Sequence, residues 1–318
     1  MPTIAIPYVP MPAEQNPNTS GRGLDTYLVS SFVTLASLRR WNPNLDLRFV
    51  TTEGPEPVWR ARLEGIGVEV EHVPFEHRPP EGFAKTFLGS LYLLDVLAKV
   101  DADYLIVIDP DVFCVGSLGD IARESGSVRA LNIPSPREKK INGLSPMEAD
   151  DIHLSLGESR EVNFHFGGEF YGIPRGLREQ IMARVDHAWS ITLNRWEQGL
   201  TYFTTEEHVL NFALAKTPVD SADDVIQRIW TAHSFRTVSG RERNLLLWHL
   251  PAEKERGFRK LYPAALDDAS WFWKSGRSDF VRRAGRTFGL HGRGPLRLLL
   301  DLGGSAARSV RSRGRSAE

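Results

Sequence analysis

The chain has 318 residues, 41% hydrophobic and 25% charged, enough for one large or two modest domains around a sizeable core. A formal charge of −1 excludes a general attraction for nucleic acid, and no run approaches the roughly 20 apolar residues of a membrane span. The single cysteine, Cys114, excludes an intrachain disulfide, and the N-terminus lacks the basic start and apolar centre of a signal peptide, so a bacterial cytoplasmic protein is expected.

Residues 3–9 are apolar and predict a buried first strand carrying Tyr8, followed by a polar loop rich in Pro and Asn as far as Gly23. Leu28, Phe32, Leu35 and Leu38 recur at helical spacing and predict a helix over 24–41, closed by Asn42-Pro43-Asn44. A strand over 45–51, a helix over 58–66 and a strand over 68–73 follow. After the Arg78-Pro79-Pro80 break, Phe87, Leu91, Leu94 and Leu97 share one face of a helix predicted over 83–100. Lys85, near its start, would approach a phosphate if that helix opens at a cleft.

Tyr104 to Ile108 are five consecutive apolar residues, the pattern of a fully buried strand, and Asp109-Pro110-Asp111 ends it. In an open α/β sheet, ligands sit outside the carboxyl ends of the strands. Two carboxylates there can hold a divalent metal against nucleotide phosphates, and Pro110 stiffens the turn between them. Asp and Pro also favour turns for their own sake, so the segment alone leaves a plain acidic turn open.

Residues 135–150, rich in Pro, Gly and charge, read as a mobile loop. A strand is expected over 164–173, where Gly167 and Gly168 suggest close approach of a sugar or pyrophosphate, or else a β-bulge; Glu169 could point into the cleft. Helices are expected over 175–190 and 206–216, the second opened by Thr204-Thr205 with Glu206 and Glu207 in its first turn. As neighbours on a helix, those two acids should not face the same way. A short strand ends at 248–250, where His249 is a candidate third metal ligand and Lys254 a candidate phosphate partner. Strands alternating with helices indicate an α/β fold with a mostly parallel sheet. From Ser275 onward ten arginines face only Asp279, Asp301 and Glu318, which reads as a basic C-terminal tail.

Taken in order, these segments resemble the GT-A fold nucleotide-sugar glycosyltransferases over roughly residues 3–262. Gly168-Glu169-Phe170-Tyr171-Gly172, then Glu206-Glu207-His208-Val209-Leu210-Asn211, is similar to the Gly-X-Phe-Phe-Gly segment and Asp-Glu-Ser-His-Leu-Asn helix of the blood-group-type α-galactosyl and N-acetylgalactosaminyl transferases. His249 with Lys254 instead resembles the closing His motif of the glycogenin-like transferases. Two family histidines fall on Thr205 and Val209 here, and His208 is displaced by one position.

The resemblance implies a single Rossmann-like GT-A domain over 1–274, with a nucleotide-sugar half (1–120), an acceptor half (121–274) and the tail at 275–318. It implies Mn²⁺ or Mg²⁺ on Asp109, Asp111 and His249, and a UDP-hexose donor contacted by Tyr8, Lys85, Asp109, Gly167, Gly168 and Lys254. Matching on Leu210 and Asn211 places the catalytic glutamate at Glu207, as nucleophile or oxocarbenium stabiliser in a retaining transfer, with Glu206 and Glu169 as alternatives. The acceptor would be a glycan or lipid-linked glycan. By its composition the tail reads either as a solvated, disordered end or, with the apolar patch at 295–300, as a peripheral contact to the inner membrane face. Two other classes compete. An aspartyl-nucleophile phosphatase or phosphotransferase usually carries its Asp-X-Asp near the chain start with Thr or Val two positions on, where Phe113 stands here. A non-catalytic nucleotide- or carbohydrate-binding protein is the third.

Overall fold

A computed structural model describes residues 2–11, 23–84, 87–119, 121, 126–134, 138–157, 165–232 and 235–290. Strand β1 (Thr3–Tyr8) leads through helix α1 (Gly23–Trp41) to β2 (Asp46–Thr51), α2 (Pro57–Gly65) and β3 (Glu69–His72). Helix α3 (Tyr92–Lys99) precedes β4 (Tyr104–Ile108), β5 (Val112–Cys114), β6 (Val128–Asn132) and α4 (Pro146–Ser155). The chain continues as β7 (Phe166–Pro174), α5 (Arg175–Glu197), α6 (Glu206–Leu214), β8 (Val219–Ser221), β9 (Ile226–Arg228) and β10 (Leu247–His249). Helices α7 (Arg259–Leu266), α8 (Trp271–Lys274) and α9 (Arg277–Thr287) close it.

The main sheet runs β3-β2-β1-β4-β7-β6-β8. Its first four strands are parallel, β7 is antiparallel to both β4 and β6, and β8 is parallel to β6. From β1 the chain steps outward to β2 and β3, then returns to set β4 on the other side of β1. The strand order therefore reverses between the carboxyl ends of β1 and β4, the switch point at which open α/β sheets bind ligands. A second sheet, β5-β10-β9, stands beside that point.

Burial on both faces explains the unbroken apolar run in β4. Tyr104, Ile106 and Ile108 join the layer built with α1 and the C-terminal helices, whereas Leu105 and Val107 join the layer built with α3, α5 and α6. In the first layer Phe113 packs against the rings of Trp248, Phe258, Phe272, Phe280 and Phe288, with centroids 5.0–6.4 Å away. No helix among the described residues is long and apolar enough to cross a membrane.

Three expected elements differ. The helix expected over 83–100 starts later, with a 3₁₀ turn at Leu88–Leu91 leading into α3. Phe87 stands at φ 65°, a left-handed conformation no α-helix accommodates, and Phe83 is instead buried against Trp189, Trp196 and Tyr202. The loop expected over 135–150 contains the start of α4, set by a reciprocal capping box between Ser145 and Glu148. The basic segment expected as a tail from 275 begins as α9, whose Phe280 and Ala284, with Phe288 just beyond, are fully buried in the core. The remainder of that segment, 291–318, lies outside the described residues.

Candidate active site

A cavity of about 410 Å³ opens at the switch point. Tyr8 at the end of β1, Asp109 and Asp111 after β4, Glu206 and Glu207 at the start of α6, and Arg228, His249 and Lys254 all line it. The turn carrying the acids is fixed from both sides: Thr34 Oγ1 of α1 donates to the Pro110 carbonyl (2.8 Å), and Leu250 N–H donates to the Asp111 carbonyl (3.0 Å). In the second sheet His249 pairs with Val112 of β5 and with Arg228 of β9. That register delivers the imidazole to the acids.

Asp109, Asp111 and His249 each offer a ligand atom within 4.8 Å of the others. His249 Nε2 lies 3.5 Å from both Asp109 Oδ2 and Asp111 Oδ1, and Lys254 Nζ is hydrogen-bonded to Asp111 Oδ2. Asp111 Oδ1 is buried and makes no hydrogen bond within the protein, His249 Nε2 at 3.5 Å being its neighbour, so it keeps lone pairs for a further ligand. Burial and the neighbouring Asp111 push Asp109 up to about 6. Against burial, Lys254 and His249 hold Asp111 well below the usual carboxylate range, while Asp111 and Glu169 raise His249 to about 9. Two oxygens and a nitrogen in this arrangement suit a divalent cation such as Mn²⁺ or Mg²⁺.

Glu169 does not enter the cavity, contrary to the sequence-based expectation. It is fully buried behind His249, its Oε1 accepting a hydrogen bond from Nδ1 at 3.1 Å, so that Nε2 faces the acids. Its other partner is Arg228, whose Nε and Nη2 donate to Oε1 and Oε2 at 2.7 and 2.5 Å. Against burial, these two cations hold the Glu169 carboxyl far below its ordinary value. Gly167 and Gly168 do not line the cavity either, and what approaches them closely is the protein's own side chains. A Cβ on Gly167 would lie 2.1 Å from Glu169 Oε2, and one on Gly168 2.4 Å from Glu206 Oε1.

Both acids opening α6 are buried and both line the cavity, although they were expected to diverge. At a helix N-terminus the first two side chains can share one opening while their carboxylates find different partners. Glu207 accepts four hydrogen bonds: Gly168 N–H (2.9 Å) and Arg228 Nη2 (3.0 Å) at Oε1, Asn142 Nδ2 (2.8 Å) and His165 Nε2 (3.0 Å) at Oε2. Against burial, His165 and Arg228 hold it at about 2. Glu206 is the opposite case. Its Oε2 is buried without a partner, and burial plus the Glu207 charge push it up to about 8. The two neighbouring acids are thus pushed in opposite directions, Glu207 towards the carboxylate and Glu206 towards the carboxylic acid.

Of the expected site residues, the structure brings Tyr8, Asp109, Asp111, Glu206, Glu207, His249 and Lys254 together. Lys85 lies outside the described residues. Arg228, Asn142 and His165 were not anticipated. The Arg lies in a three-residue strand, Asn142 lies in a loop, and His165 stands at the start of the expected strand over 164–173 without any spacing that marks it as a partner of Glu207.

The strand order, the acid pair at the switch point and the antiparallel continuation through β7 together define a GT-A fold. Two solved glycosyltransferases share it. The galactosyltransferase LgtC, solved with donor and acceptor sugar analogues, superposes with a TM-score of 0.50 at 14% identity, over 93% of this chain and 98% of LgtC. The bifunctional glycosyltransferase WbbM superposes with a TM-score of 0.55 at 11% identity, over 89% of this chain and 51% of WbbM, so the chain spans about half of that protein. A second LgtC structure, of an active-site mutant, gives a TM-score of 0.50 at 14% identity. No protein-family model and no curated protein matches the sequence.

Proposed function

We propose that the protein is a metal-dependent glycosyltransferase that moves a hexose from UDP-hexose to a glycan or lipid-linked glycan, with retention. The observation that carries this is the Asp109–Asp111–His249 cluster, whose Asp111 Oδ1 keeps lone pairs for a further ligand, at the switch point of a GT-A sheet and in one cavity with Glu206 and Glu207. The fold similarity favours this over an aspartyl phosphatase.

Asp109, Asp111 and His249 would hold a divalent cation, which when bound would supply Lewis-acid stabilisation to a departing diphosphate. Lys254, held against Asp111, adds positive charge beside the same leaving group. Tyr8 closes the cavity at the neighbouring strand end, where the nucleotide would lie. Glu207 faces the anomeric carbon as a carboxylate. Its four donors occupy the lone pairs an attacking oxygen would need, so it stabilises an oxocarbenium-like centre in place rather than forming a bond to it. Glu206, protonated, can donate a hydrogen bond to a sugar hydroxyl.

Cytoplasmic action at the inner membrane face fits a lipid-linked acceptor, and the arginines of α9 and 291–318 supply the charge for contact with anionic lipid. Sedimentation with anionic liposomes should fall when 291–318 is removed; equal sedimentation would remove this part. The function itself is tested by incubating UDP-glucose and UDP-galactose with Mn²⁺ and resolving the released sugar by NMR. Release that depends on the metal and preserves the donor's anomeric configuration is expected. Turnover unchanged by EDTA would overturn the metal-dependent assignment.

A further inference from the structure

Among the described residues, Arg228 is the side chain hydrogen-bonded to both Glu169, which lies behind the cation cluster, and Glu207, the candidate catalytic carboxylate. Its guanidinium is bidentate to Glu169 and shares Nη2 with Glu207 Oε1 at 3.0 Å, while Glu169 Oε1 accepts a hydrogen bond from His249 Nδ1. The result is a continuous hydrogen-bonded line, His249–Glu169–Arg228–Glu207, from the cation ligand to the acid that opens α6. The backbone is built around it. Arg228 pairs with His249 in the β9–β10 register, and a Cβ on Gly167 would come 2.8 Å from Arg228 Nη2. A lysine at this position would keep the charge but not the fork, because an ammonium on a flexible stem cannot bond two carboxylates in fixed planes.

We propose that Arg228 is a positioning residue that fixes the Glu207 carboxylate against the reacting sugar and locks it to the cation-binding imidazole through Glu169. This rests on the glycosyltransferase reading for its kinetic consequence, but its structural half stands apart. Arg228 orders two buried carboxylates that would otherwise repel each other. Glu207 then needs no rearrangement as positive charge develops on the sugar, and His249 presents one nitrogen in one orientation. Loading the metal and aiming the carboxylate are in this way parts of a single arrangement.

The test uses the full chain with Arg228→Lys, Arg228→Gln and Glu169→Gln, and two readouts. Mn²⁺ affinity is measured with the metal alone by the electron-spin-resonance signal of free Mn²⁺, and hydrolysis of UDP-glucose and UDP-galactose is resolved into kcat and KM. Expected are a weakening of Mn²⁺ binding by about tenfold in Arg228→Gln and Glu169→Gln, and a fall in kcat of about 100-fold with KM nearly unchanged in both Arg228 variants. Arg228→Lys, which keeps a cation in the buried position, should fold and still fail to restore kcat; loss of packing alone would not split kcat from KM in this way. Mn²⁺ affinity in Arg228→Gln within about twofold of wild type, or full kcat in Arg228→Lys, would overturn the proposal. If the wild type hydrolyses neither donor, the functional assignment fails and the Mn²⁺ titration alone decides the positioning role.

Discussion

Replacing Glu206 by Gln should make the protein more stable, and more so as pH rises. Glu206 is 8% exposed, has an unpartnered Oε2, and is raised from an ordinary value of 4.5 to about 8 by burial and by the Glu207 charge. An acid whose folded value lies above its unfolded value binds more protons folded than unfolded, so it costs nothing below pH 4.5 and progressively more up to about pH 8. Each pH unit in that window is worth about 1.4 kcal/mol, which gives a penalty of about 3 kcal/mol by pH 7. Gln has the same shape, carries no charge, and can make the hydrogen bond of the protonated acid. Urea denaturation of metal-free wild type and Glu206→Gln between pH 5 and 8.5 should therefore give curves that nearly coincide at pH 5 and separate steadily, the variant being the more stable. A gap independent of pH would refute the reasoning, since it would mean that Glu206 is ionised in the folded state across the range.

Asp111→Asn should lose both the Mn²⁺-induced rise in Tm and about 3–5 kcal/mol of stability, because Lys254, 6% exposed, is left buried without its partner. Adding Lys254→Met should recover most of the stability but none of the Mn²⁺ response, a contrast that calorimetry with and without metal would read. Gly167→Ala should cost about 1–3 kcal/mol in denaturant titration, since its methyl would occupy the space of Glu169 Oε2 at 2.1 Å. Phe113→Ala removes the ring at the centre of the aromatic cluster and should cost about 3–5 kcal/mol in the same assay.

What the amino-acid order revealed depended on how local each cause was. Strand β4 and its acids were legible because burial on both faces demands an unbroken apolar run, and Asp-Pro-Asp can only end it. Helix α1 announced itself through Leu28, Phe32, Leu35 and Leu38, all buried as the spacing requires. Helix α9 escaped notice because its arginines dominate the composition, although Phe280, Ala284 and Phe288 follow one another at intervals of four along its buried face. Helix α4 was similarly hidden: the Ser145–Glu148 capping box was present in a segment whose Pro, Gly and charge suggested a loop.

The cation cluster was legible in part, since Asp109 and Asp111 are neighbours in sequence and His249 stands in a short apolar strand. The polar layer behind it was not. Glu169 alternates in β7 in a way that fits either face of the sheet, and only the register of β9 against β10 shows that Arg228 is there to receive it. For Gly167 and Gly168, the sequence signalled a close approach without identifying the approaching group. Pairs that meet across 59 residues, as Arg228 and Glu169 do, leave no local periodicity to find.

The central claim is that Asp109, Asp111 and His249 hold a divalent cation that engages a nucleotide diphosphate. A crystal soaked with Mn²⁺ and UDP, with diffraction collected at the manganese absorption edge, examines this without any need for the acceptor. The predicted result is a single strong anomalous peak in bonding contact with Asp109, Asp111, His249 Nε2 and the diphosphate oxygens. Clear UDP density in the cavity with no manganese peak among those three side chains would contradict the account.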